Sequence, residues 1–156
     1  MKTKQYIGKL CRPSFWLLLA TIATSVPNVA RAESPDDILI IVNRKLGIDS
    51  TTLDEIKNLF LTKRQRWRNG DKAVPINAPR NSVLREDFVK TVLSMTEEEE
   101  QIYWYKHKIS KGGSAPVEFS NSLKAVFKLK SAVSYIYRAQ YKENVAKIIL
   151  VIPKKK

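Results

Sequence analysis

The spacing of apolar positions along this 156-residue chain changes several times, and each change marks an element. Ile38–Val42 (ILIIV) is an unbroken run rich in β-branched residues, as expected of a strand covered on both faces. Thr52-Leu-Asp-Glu55 has the spacing of a capping box, and Leu53, Ile56 and Phe60 then recur on one helical face. Ala73–Asn77 reads as a short extended piece. Ser82 can cap a further helix, whose Leu84, Phe88 and Val92 form a stripe. Thr96 and Glu99 make a second capping box, opening a helix that runs to about Ile109. The run Glu97–Glu100 lies at the positive end of that helix's dipole and reads as a helix-start device, not a metal site. Further along, Ile102, Tyr105 and Ile109 share a face, with Tyr105 expected in the core. Trp104 or Tyr103 is left for a neighbouring element or a partner. Lys111–Pro116 (KGGSAP) is a loop, and Ser120 or Ser122 opens a helix with Leu123, Val126 and Phe127 inward. Ala132–Tyr137 and Lys147–Ile152 read as strands. The pattern predicts one α/β domain with Ile40, Ile56, Phe60, Phe88, Val92, Tyr105, Phe127 and Ile149 in its core.

The first 32 residues do not fit this pattern. Lys2, Lys4, Lys9 and Arg12 precede an apolar run from Phe15 to Ala23, and Ala30-Arg31-Ala32 has the form of a cleavage site. This is the layout of a secretory signal peptide. It predicts an exported chain of residues 33–156 beginning at Glu33, periplasmic or secreted, with no membrane span after cleavage. Cys11, the one cysteine, would leave with the signal, so disulfide and thiol chemistry are not expected. The signal carries five of the 28 basic residues and none of the 15 acidic ones, leaving a net charge of +8. In an exported protein such a charge favours small anions or acidic polymers over nucleic acid.

Catalytic ingredients are sparse. His107, the single histidine, sits between lysines on a helix and reads as a surface residue, and one histidine cannot build a metal cluster. No nucleophile elbow or phosphate-cradling glycine loop occurs. No catalytic residue, metal or cofactor is therefore expected. The one place with convergent chemistry is the start of the helix after Pro79. There, Ser82 at the cap, Arg80 and Asn81 before it and Arg85 in the first turn could together hold a small anion. A basic turn, Asn58–Gly70 (NLFLTKRQRWRNG), is a second candidate. Trp67 among Arg64, Arg66 and Arg68 could serve as a stacking platform for a polyanion, or could plug the turn onto the domain body.

Taken in order, these segments resemble the phosphate-binding proteins of ABC importers. Ile40–Gly70 is similar to a family segment in which a strand ending in Val-Asn precedes a helix ending in Ile-Phe and a Gly-Lys-x-x-x-Trp turn. Arg80 falls where the family places an anion-pairing arginine. Asn81–Phe88 falls on a motif of the form Gly-Ser-Gly-Thr-Arg-Glu-x-Phe. Tyr103-Trp104, Ile109–Pro116 and Ala132–Tyr137 match the order of Tyr-Trp, Phe-x-Gly-x-x-x-x-Pro and Ala-Ile-Gly-Tyr in short relatives. The resemblance implies a single lobe of a type 2 periplasmic-binding-protein-like fold, a central sheet flanked by helices, binding a phosphate-like anion without catalysis. The departures imply a degenerate site. Asn81, Val83 and Leu84 stand where the family has Gly, Gly and Thr, so Val83 crowds the approach to the backbone and Leu84 removes a hydroxyl. Thr62 and Ser134 replace two further glycines. Each missing donor weakens binding by about 1–3 kcal/mol, and a lone lobe offers an open face that a protein partner or a second copy could complete. The alternative on the same fold is an exported interaction module that has lost its ligand.

Overall fold

The computed structural model describes residues 33–154, so the expectations for residues 1–32 lie outside it, as do Lys155 and Lys156. Five strands, β1 (Ile38–Val42), β2 (Val74–Asn77), β3 (Val117–Glu118), β4 (Ala132–Tyr137) and β5 (Lys147–Ile152), form one sheet in the order β3-β2-β4-β1-β5. Strand β1 runs antiparallel to both β4 and β5, while β2 is parallel to β3 and β4. Among the described residues, four α-helices accompany the sheet: α1 (Leu53–Phe60), α2 (Val83–Phe88), α3 (Glu97–Lys111) and α4 (Ser122–Lys128). Helix α2 widens into π-type turns over Val89–Leu93, closed by Ser94 in the left-handed conformation. No helix among the described residues is long and apolar enough to cross a membrane.

Strand β1 is buried at all five positions, and its alternating side chains feed two cores. Ile38, Ile40 and Val42 join Ile56, Phe60, Trp67, Phe88, Val92, Tyr135 and Ile149 on one side. Leu39 and Ile41 join Ala125, Val126, Ala132 and Ile136 on the other. Six of the eight expected core residues are therefore buried. Tyr105 and Phe127 are not, with 69% and 64% of their surface exposed. Helix α3 is rotated from the expected orientation. It turns Glu100 and Trp104 inward, because Glu100 has a charged partner inside, and this leaves Ile102, Tyr105 and Ile109 outside. On α4, Ser122, Ala125 and Val126 face inward. The Asn43 amide donates to the Val126 and Phe127 carbonyls at 2.8 and 3.0 Å, pinning that helix end with the Phe127 ring turned out.

The caps of α2 and α3 follow the sequence, while those of α1 and α4 depart from it in part. Ser82 accepts from the Arg85 N–H, and Thr96 and Glu99 form a reciprocal capping box. At α1, Thr52 accepts from the Glu55 N–H, but the Glu55 carboxylate turns aside to accept from the Thr51 hydroxyl. Helix α4 is capped by Asn121, not a serine. Thr62 and Asn81 both have positive φ, 52° and 65°. These are two of the positions where the resemblance places glycine, so the turn geometry persists without the residue that adopts it at least cost.

Candidate functional site

Strands β2 and β4 lie parallel and adjacent, and open sheets of this kind hold ligands beyond the carboxyl ends of such strands. A cavity of about 400 Å³ lies there. Its lining brings Pro79 and Ser82 from the β2–α2 turn against Ser120 and Ser122 at the start of α4, with Ile136 near the end of β4 and Gln140 just beyond it. Hydroxyl and amide side chains dominate its polar lining, and among the described residues no charged side chain borders it. Ser120 and Ser122 were expected only as a helix start, and Gln140 had no expected role. They lie about 40–60 residues from Ser82, and only the parallel pairing of β2 with β4 brings them near it.

The four residues proposed from the sequence are neighbours in the chain, but their side chains diverge. The Ser82 hydroxyl caps α2 and donates to the Pro79 carbonyl at 2.7 Å. Asn81 is exposed, on left-handed backbone. Arg80 turns toward β3, its Nε 3.4 Å from the Glu118 carboxylate, which also accepts from the Arg80 N–H at 3.2 Å. Arg85 does not reach the helix start as the sequence suggested. It faces inward at 3% exposure, its guanidinium 2.5 Å from the carboxylate of Glu100, itself 6% exposed. Glu100 thus belongs to a buried ion pair, and the acidic run Glu97–Glu100 is more than a helix-start device.

A polar network surrounds this pair. The Glu100 carboxylate also accepts from the Trp104 indole N–H at 3.2 Å. The Arg85 guanidinium donates to the Tyr135 hydroxyl oxygen at 3.3 Å. That oxygen accepts from the Ala78 N–H at 3.1 Å as well, and its proton points to Asn77 at 3.4 Å. A buried guanidinium and an indole N–H thus converge on one carboxylate, with the Tyr135 phenol holding the guanidinium from behind, but the anion is a side chain of the protein. Burial opposes charge on Arg85, yet the Tyr135 oxygen and the Glu100 carboxylate outweigh it and hold the guanidinium's pKa above its usual value.

Burial likewise raises the pKa of Tyr135, against the partly compensating pull of Arg85. Burial, together with the bond from its hydroxyl to the Asp87 carboxylate at 2.7 Å, raises that of Tyr137. A phenol whose folded pKa exceeds its unfolded value contributes stability below about pH 10, and that stability is lost as pH rises further, at up to about 1.4 kcal/mol per pH unit for each group. Urea unfolding between pH 9 and 11.5 should therefore show a fall in stability that is shallower in Tyr137→Phe; an identical slope would contradict the burial argument.

The basic turn is a poor polyanion platform. Trp67 is buried among the core residues and cannot stack on a ligand, as the plug reading anticipates. Arg64 and Arg68 both pair with the buried Glu55 carboxylate, at 3.5 and 3.2 Å. His107 packs beside Tyr103, and its Nε2 lies 3.2 Å from the Thr62 hydroxyl.

No protein-family profile matches this chain, and no curated protein matches it. Solved structures do resemble it. A protein from Clostridium perfringens, named as a phosphate ABC transporter substrate-binding protein and holding bound phosphate, aligns over 75% of this chain and 46% of its own, with a TM-score of 0.55 and 18% identity. An ABC-type phosphate transport receptor from Vibrio cholerae aligns over 75% of this chain and 47% of its own, at a TM-score of 0.56 and 13% identity. PstS from Borrelia burgdorferi covers 73% of this chain and 46% of its own, at 0.55 and 14%. The chain therefore has the α/β fold of a single lobe of these proteins, and it spans less than half of their length.

Proposed function

We propose that this chain is an exported, non-catalytic solute-binding-like lobe whose anion site is degenerate. A phosphate-like anion binds weakly at the rim formed by Arg80, Asn81 and Ser82, with Arg85 beneath. The observation that carries the reading is the pairing of Arg85 with Glu100: the most deeply placed cation at the site already has an anion of its own. The Arg80 pair with Glu118 is exposed, and such pairs contribute only about 0–1 kcal/mol. Arg80 can therefore leave Glu118 for a ligand at little cost, whereas Arg85 cannot leave Glu100. The fold shared with phosphate-binding proteins supports a solute-binding ancestry, and the loss of the glycine and threonine positions supports weak affinity. Export rests on the pattern of residues 1–32.

NMR titration of the purified protein with phosphate tests this. Shifts should cluster on residues 80–85, require millimolar phosphate, and be lost in Arg80→Ala. Shifts confined to residues 63–68 would replace the rim with the basic turn. No shift anywhere would favour the interaction-module reading, in which the same fold has no ligand.

A further inference from the structure

The inward rotation of α3 leaves an unexplained surface. Ile102, Tyr105 and Ile109, at helical spacings of three and four, form a stripe on the outer face, with 53%, 69% and 70% of their surfaces exposed. Large apolar side chains in line along a helix are unusual at a free surface and mark a place where another element packs. Beside the stripe lies a groove of about 370 Å³ between Arg80 and α3, bordered by Ile102, Trp104 and Tyr105. A ridge next to a groove is the form that helix-on-helix packing uses.

The charges on α3 indicate what packs there. Glu97, Glu98 and Glu99 occupy its first turn, and Lys106, Lys108 and Lys111 its second half. A second α3 lying antiparallel across the stripe brings each acidic end toward the other's basic end, while a parallel one sets like charges together. The apolar stripe is centred near Tyr105, so a two-fold axis close to that residue overlaps both stripes and directs each copy's Ile109 toward the other's groove. Such an interface is self-complementary and closes at two copies.

We propose that the outer face of α3 is a homodimer interface, in which two copies of this chain pack α3 against α3 antiparallel about an axis near Tyr105. The proposal stands on the stripe, the groove and the helix charges, and is independent of anion binding. The second copy would lie over the groove beside Arg80.

Sedimentation equilibrium of the purified protein tests it. The mass should rise toward twice that of one chain between about 1 and 500 µM, and Tyr105→Glu or Ile109→Lys should raise the dissociation constant at least tenfold. Both side chains are exposed, so the melting temperature of the dissociated chain should be unchanged. Orientation is read separately by oxidative cross-linking in a Cys11→Ser background. Lys106→Cys, near the axis, should link to its own copy. Glu98→Cys, about 20 Å from its copy at 1.5 Å per residue, should not. A single-chain mass at every concentration, association unaffected by both substitutions, or equal cross-linking at the two positions would each overturn the proposal.

Discussion

Arg85→Ala and Glu100→Ala are each expected to destabilise the fold by about 3–5 kcal/mol, because either change leaves a buried charge without its partner. Both side chains are nearly enclosed, and their 2.5 Å contact is reinforced by the Trp104 indole on one side and the Tyr135 hydroxyl on the other. Replacing both at once, as in Arg85→Met with Glu100→Leu, should recover most of the loss, since the second change removes the charge that the first leaves stranded. Urea unfolding of the two single variants and the double variant measures this directly. Single variants that lose less than about 1 kcal/mol, the range of exposed pairs, would mean that the pair is open to water. A double variant as unstable as the sum of the singles would mean that the two charges do not act together.

The second large effect concerns Phe88. Its ring lies flat on Tyr135, with centroids 3.7 Å apart, and meets Phe60 at 4.7 Å. It is fully buried, at the level where α2 packs on the sheet. Phe88→Ala should cost about 3–5 kcal/mol. Tyr135 also holds the Arg85 guanidinium and the Ala78 N–H, so the loss of the ring that backs it should loosen the polar network too. Chemical denaturation gives the stability, and the amide exchange of Ala78 reports the network. A loss typical of a surface substitution would place Phe88 outside the core.

Both results depend on features that were legible in the sequence to different degrees. Four of the five strands were legible because an apolar run such as Ile38–Val42 has little choice but burial, whereas β3, two exposed residues at Val117–Glu118, leaves no such pattern. The starts of α2 and α3 were legible because hydroxyl caps act on backbone groups three residues away and need no tertiary information. The orientation of α3 was not. Its inner face is Glu100, Tyr103, Trp104 and His107, and a stripe search passes over a face begun by a glutamate in favour of Ile102, Tyr105 and Ile109. Glu100 turns inward only because Arg85, fifteen residues earlier, turns inward too, and neither residue alone predicts the other. The site was half legible for the same reason. The β2–α2 turn and its cap were identifiable from Arg80, Asn81 and Ser82, and the left-handed backbone at Asn81 matches a glycine position of the resembling family. The cavity wall from Ser120, Ser122 and Gln140 depends on the pairing of β2 with β4. Ser134, another replaced glycine, is fully buried and donates to the Ile76 carbonyl while bonding the Ser122 hydroxyl, tying that wall to the sheet.

The central claim is that this lobe offers an anion an open rim and no donor cage. Calorimetric titration of the purified protein with phosphate addresses it most directly. The account predicts a dissociation constant in the millimolar range, about −4 kcal/mol, because Glu100 holds the Arg85 guanidinium and the cation left for a ligand, Arg80, is exposed. A micromolar constant would require about 4 kcal/mol more, which the rim lacks the donors to supply, and would contradict the account.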